Sequence, residues 1–153
     1  MEKAKIQAID IEAIGMASQR GSVLTWSDDG KPLHNIIVWQ DNRSESICEQ
    51  WNKSFSLRGI NTLSNMLHFA SRSDQFKAGS FFKFSTWMSC TKVSWIFKNI
   101  PQALQLSKEN RLRYGGIESW LLWKLTGGKV WATDIGHFST TGFWVLFSFS
   151  SSF

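Results

Sequence analysis

The sequence predicts an α/β domain, and three observations carry that reading. Two short apolar runs, Val23–Trp26 and Ile36–Trp39, flank the polar stretch Ser27-Asp28-Asp29-Gly30-Lys31. Asp-Gly between such runs signals a β-hairpin, because Gly supplies the positive φ that a tight reversal needs. Further along, Val93, Ile96, Phe97 and Ile100 recur at i, i+3, i+4 and i+7, the apolar stripe of a helix. Strand-like and helical patterns coexist within 153 residues, a length that suits one ordinary domain.

In order along the chain, Ile9, Ile11 and Ala13 alternate with Asp10 and Glu12, a period of two. Ala13–Ala17 reads as a buried strand that delivers Ser18-Gln19-Arg20 at its carboxyl edge, where α/β sheets place ligands. The hairpin brings Trp39-Gln40-Asp41 from its other arm. A cation, two amides, a carboxylate and a large aromatic face would suit a polyhydroxylated ligand. They equally suit an edge hairpin whose polar ends are solvated.

A helix is expected from about Asn42, with Asn42 as its cap and Glu45 as the capping-box partner. Ile47, Trp51 and Phe55 would share one face of it. Residues 56–85 show only a short helix around Leu63, Met66 and Leu67, and Gly79 then opens the cluster Phe81-Phe82-Lys83-Phe84. Ser89 is positioned to cap the helix carrying Val93, and Pro101 ends it or begins another. Leu112–Tyr114 reads as a strand broken by Gly115-Gly116. Ile117–Thr126 is apolar on most sides, which implies burial on more than one face, and Gly127-Gly128 supplies a left-handed cap. Val130–Asp134 then extends away.

Composition narrows the function classes. The 17 Lys and Arg against 12 Asp and Glu leave a net charge of +5, but the cations are dispersed. Nucleic-acid backbone binding relies on cations that track a line of phosphates, so no nucleic-acid partner is expected. Nine Trp and twelve Phe fill a core and also suit a sugar- or polyol-binding surface. Cys48, Cys90 and the three His residues form no metal spacing, and Cys48 reads as core filler rather than nucleophile. The amino terminus, Met1-Glu2-Lys3-Ala4-Lys5, is charged, and no run approaches a membrane span. A reduced, cytoplasmic protein without a membrane partner is expected.

Four blocks stand in order: Ala13-Ile14-Gly15-Met16-Ala17-Ser18-Gln19-Arg20, Gly30-Lys31-Pro32-Leu33-His34-Asn35-Ile36-Ile37-Val38-Trp39-Gln40-Asp41-Asn42-Arg43, Ser89-Cys90-Thr91-Lys92-Val93-Ser94-Trp95-Ile96-Phe97-Lys98-Asn99, and Tyr114 through Val130. With Ala132-Thr133-Asp134 and Ser139-Thr140-Thr141-Gly142, they resemble the N-terminal domain of the FGGY carbohydrate kinases. The likeness is to the glycerol kinase branch, and most of all to its divergent glycerol kinase 5 subgroup. It covers roughly residues 6–143.

That resemblance implies a partial ribonuclease H-like (actin-like ATPase) domain, a mixed sheet flanked by helices. It implies an ATP- and Mg²⁺-dependent kinase acting on a hydroxyl of glycerol or a related polyol, with a homo-oligomeric parent. Arg20 matches the family's arginine that holds polyol hydroxyls, and Trp39 matches the indole that packs on the carbon chain. Two positions depart from the pattern. Gly21 stands where glycerol kinases carry Glu, and Trp87 stands where they carry a substrate-contacting Tyr, so two oxygen groups are missing from the same substrate-binding pocket. Glu118 replaces an Asp, a small structural change.

The family's phosphate loop, its catalytic Asp and its ATP-binding second domain have no match here. Asp134–Thr140 mimics a phosphate loop but aligns with another block. The expected organisation is therefore a partial kinase N-terminal domain over residues 1–143 and an unrelated hydrophobic tail over 144–153, aggregation-prone unless paired. On that reading the chain by itself is inactive as a kinase. The alternative is a non-catalytic module that binds a carbohydrate or a protein partner.

Overall fold

A computed structural model describes residues 7–142. The fold is built around β1 (Leu24–Ser27), all four residues of which are buried. Such complete burial needs partners on both edges, and β1 has them. On one edge it pairs antiparallel with β2 (Leu112–Gly115), Leu24 opposite Gly115 and Ser27 opposite Leu112. On the other edge the hairpin returns: Val23 and Ile37 exchange two hydrogen bonds of 2.9 Å, and Leu33 N donates to Thr25 O at 3.0 Å.

The Asp-Gly turn forms as the sequence indicates. Gly30 adopts φ 78°, Gly30 N donates to Ser27 O at 2.8 Å, and the Ser27 hydroxyl donates to the Asp29 carboxylate. The second arm departs from a regular strand. Between the Val23–Ile37 and Trp26–Pro32 bridges, the four residues 33–36 lie opposite only Leu24 and Thr25, so two residues bulge outward. His34 fills this bulge. Its Nδ1–H donates to Asn35 O at 2.6 Å, while its Nε2, 2.9 Å from the Thr25 hydroxyl, accepts.

The core lies on one face of this ladder. Val23 and Ile37 pack on Val93 and Ile96 of α4 (Ser89–Asn99) and on Ala103 of α5 (Pro101–Lys108). The helical stripe read from the sequence is thus the stripe that is buried. Pro101 opens α5, where its missing N–H costs nothing. On the opposite face Trp26, fully buried, meets Trp123 of α6 (Ile117–Leu125) with ring centroids 6.4 Å apart. Gly127 and Gly128, at φ 60° and 82°, end α6 as expected.

Several local expectations are corrected. Ala13–Ala17 forms no strand and is exposed; among the described residues no neighbouring segment hydrogen-bonds to it. Asn42 does not cap α1 (Glu45–Asn52): Ser44 precedes the helix, and the Asn42 carbonyl of its side chain accepts from Thr86 Oγ1 at 3.1 Å. Phe55 leaves the face shared by Ile47 and Trp51, because the chain breaks at Lys53-Ser54 and Phe55 starts a new helix. Met88, not Ser89, precedes α4, and Ser89 is its first, buried residue. Within α6 only Ser119 is buried, since the packed elements cover one side of it, and Leu125 is exposed.

The stretch 56–85 folds as α2 (Phe55–Ser71) and α3 (Asp74–Ser80). It carried little periodicity because α2 buries only Leu57 and Ser64, while Leu63, Met66 and Phe69 face outward. Residues 143–153, and with them the hydrophobic-tail reading, lie outside the described residues.

His34 makes one consequence measurable. Burial holds its pKa below the usual histidine value, so the folded state binds fewer protons there than the unfolded state. Stability is therefore complete above the ordinary histidine range and declines as pH falls through the depressed pKa. The carboxylates Asp28, Asp29 and Asp41 are held low by Arg111, Ser27 and Arg43 respectively, so they titrate in a more acidic window. The melting temperature is expected to drop between pH 7.5 and pH 5, and His34→Gln is expected to flatten that drop. Equal slopes in thermal melts of both proteins would contradict this role.

Candidate functional site

Arg20 and Gly21 form the turn that enters β1, Trp39 leaves the hairpin arm, and Trp87 lies in the segment before α4. The structure brings all three segments together at Gly21. Its φ of 74° is a left-handed conformation that side chains other than glycine's disfavour. A Cβ there would sit 2.8 Å from Trp87 O and 3.2 Å from Trp39 Cβ. Glycine is therefore required twice, for conformation and for space. Trp39 and Trp87 retain 47% and 43% of their exposure, so both indoles present a face to solvent at the edge of a buried backbone contact.

The Arg20 side chain is exposed and makes no hydrogen bond or ion pair among the described residues. The exposed guanidinium follows Ser18-Gln19 directly into the Gly21 turn, at which the Trp39 and Trp87 segments meet. Asp41 is not available in the same way. Arg43 clamps it with Nε on Oδ1 at 2.9 Å and Nη2 on Oδ2 at 2.7 Å, which holds its carboxyl below the usual range. The guanidinium of Arg43 in turn lies 4.8 Å over the Trp95 ring. Gln19 and Gln40 are exposed, with no hydrogen bond from either amide among the described residues.

The residue that sequence reasoning missed is Lys92. It is fully buried, and its ammonium donates to Thr86 O at 2.6 Å, Gly21 O at 3.2 Å and Trp39 O at 3.4 Å. Burial lowers its pKa, and the Asp41 charge partly offsets this. A signal for it existed: Lys92 precedes Ile96 by four residues, so helical spacing places it on the buried stripe. Cys48 and Cys90 are buried free thiols, and burial pushes Cys90 up to about 11, so core packing is their duty.

A second polar cluster lies apart from these residues. The Glu118 carboxylate accepts from Ser18 at 3.1 Å, Ser119 at 2.9 Å and Thr133 at 3.0 Å, with His137 Nδ1 3.3 Å away. It ties the strip leading to Arg20 to α6 and to α7 (Ile135–Phe138). A cavity of about 210 Å³ opens beside it, lined by Tyr114, Ser119, Trp131 and His137 among others, and none of Arg20, Gly21, Trp39 or Trp87 reaches it.

Among the described residues no group of three His, Cys, Asp or Glu could hold a metal ion. Asp134 is engaged as a helix cap, accepting from His137 N at 2.9 Å. No helix among the described residues is long and apolar enough to cross a membrane.

The profile of the "FGGY family of carbohydrate kinases, N-terminal domain" matches residues 1–148. The chain is 40% identical over 143 residues to "Glycerol kinase 5" of Gallus gallus, covering 93% of this chain and 28% of that protein. It is 35% identical over 140 residues to the "Glycerol kinase" of Mycoplasma pneumoniae, covering 91% of this chain and 25% of that one. Among solved structures, the "Crystal structure of Plasmodium falciparum glycerol kinase with ADP" superposes with a TM-score of 0.67 at 27% identity, over 86% of this chain and 23% of the other. The fold is therefore the α/β, actin-like ATPase fold, and the chain spans about a quarter of the length of these relatives. It belongs to the FGGY family of carbohydrate kinases and matches that family's N-terminal domain.

Proposed function

We propose that these residues form the acceptor-holding part of an ATP-dependent polyol kinase of the glycerol kinase type. The observation that carries the reading is the meeting of the Trp39 and Trp87 segments at the bare backbone of Gly21, the residue after the exposed Arg20. Arg20 donates to polyol hydroxyls, and the two indole faces flank the carbon chain. Phosphoryl transfer depends mostly on where the attacking hydroxyl is held, so a rigid acceptor cradle is a substantial share of the catalytic work. ATP, Mg²⁺ and the base that takes the hydroxyl proton are assigned to the wider family protein, as is assembly into a homo-oligomer.

The acceptor differs from glycerol or is a glycerol bound weakly. Gly21 and Trp87 offer no side-chain carboxylate or phenol where glycerol kinases have both, and hydroxyls left without partners lower affinity. The Gly21 geometry explains why the carboxylate is not simply restored. Any side chain there meets the Trp87 carbonyl and requires a left-handed backbone.

Three outcomes test this. Calorimetric titration of the 153-residue chain with a polyol panel is expected to show saturable binding, with glycerol weaker than a longer polyol. Trp39→Ala should weaken that binding on the order of tenfold, about 1.4 kcal/mol, with little change in melting temperature because the indole is half exposed. Tight glycerol binding, or binding indifferent to Trp39→Ala, would contradict the assignment.

Gly21→Glu is expected to destabilise the chain by at least ~1–2 kcal/mol in urea unfolding and to leave glycerol affinity unimproved. A stable Gly21→Glu protein that binds glycerol better would show that the position tolerates the family carboxylate. Incubated with ATP, Mg²⁺ and glycerol, the 153-residue chain should yield no phosphorylated polyol by mass spectrometry. Product formation would overturn the assignment of phosphate handling to other parts of the family protein.

A further inference from the structure

We infer that Lys92 is the positioning residue of the acceptor cradle, its buried ammonium fixing the peptide groups that carry Arg20–Gly21, Trp39 and Trp87. The inference rests on the polyol-kinase reading above and gives a role to a side chain that no ligand in the cradle touches, since Lys92 has no exposed surface.

An ammonium has three N–H donors, and Lys92 directs them to three carbonyls. They belong to Gly21, to Trp39 and to Thr86, the neighbour of Trp87. These segments are distant in the chain and come from a turn, a hairpin arm and a helix approach. Each acceptor carbonyl belongs to a cradle residue or to its immediate neighbour. Holding the three carbonyls therefore fixes, relative to one another, the backbone segments from which Arg20, Trp39 and Trp87 project.

The position is otherwise hostile to a cation. Lys92 lies in the first turn of α4, where the helix dipole is positive, and it is removed from water. No carboxylate forms an ion pair with it among the described residues; Asp41, the acidic group acting on it, is engaged by Arg43. The other titratable groups facing it, Cys48 and Cys90, are buried thiols. An apolar side chain would fill this space at less electrostatic cost. What it would lack is three directed donors, and without them three carbonyl dipoles would face one another unpaired.

The test uses the 153-residue chain and the near-isosteric variant Lys92→Met, with amide hydrogen exchange and glycerol titration measured on both. The expected result is exchange at least tenfold faster at Gly21, Ser22, Trp39, Gln40, Trp87 and Met88, with β1–β2 and α5 unchanged, and a tenfold or greater loss of glycerol affinity. Loosening of those segments in a chain whose wild type binds no polyol upholds the tether and overturns the acceptor reading instead. Unchanged exchange and unchanged affinity overturn the tether. If Lys92→Met loses protection throughout, the wild-type Lys92 ammonium is read by ¹H–¹⁵N NMR. A resolved, slowly exchanging signal upholds the three hydrogen bonds, and one in fast exchange with water overturns them.

Discussion

The close approach at Gly21 is the contact on which the candidate site depends. A backbone without a side chain, in a left-handed conformation, lets the Trp87 carbonyl and the Trp39 Cβ crowd the space that a Cβ at position 21 would take. The contact joins the entrance of β1 to the exit of the hairpin and to the approach of α4. Because β1 is held on both edges and packed on both faces, the Gly21 turn is fixed to the most rigid part of the chain. A site built on such an element keeps its geometry better than one carried on loops alone.

The same constraint bears on the proposed departure from the glycerol kinase acceptor pattern. Gly21 and Trp87 are in contact, so the two departures are one structural unit and not two independent losses. A side chain at 21 would displace the backbone of 87. Arg20 makes no hydrogen bond or ion pair among the described residues, whereas the Asp41 carboxylate is committed to Arg43, whose guanidinium lies over the Trp95 ring.

Much of this architecture was legible in the sequence, for local reasons. The Asp29-Gly30 turn, the Val93–Ile100 stripe, Pro101 and the Gly127-Gly128 cap each encode their geometry within a few residues, and each forms. Ala13–Ala17 did not become a strand, because strand formation needs a hydrogen-bonding neighbour and alternation alone cannot supply one. The bulge at His34 was invisible because it arises from a mismatch between two arms. Residues 56–85 resisted reading because the apolar residues of α2 face away from the contact that holds it. At the site, Gly21 and Trp87 came from the family pattern, while the meeting of the Trp39 and Trp87 segments at Gly21 could be seen only in three dimensions. Lys92 was overlooked because a lysine is ordinarily solvated, although its spacing to Ile96 marked it as inward-facing.

The central claim is that a polyol lies against Arg20, Trp39 and Trp87 around Gly21. An NMR titration of the ¹⁵N-labelled chain with glycerol and longer polyols tests it most directly, since each indole N–H reports its own surroundings. The account predicts progressive shifts of the Trp39 and Trp87 indole signals and of the Gly21 amide, with the buried Trp26 unmoved. Shifts confined to the Glu118–His137 cavity, or none at saturating polyol, would contradict it.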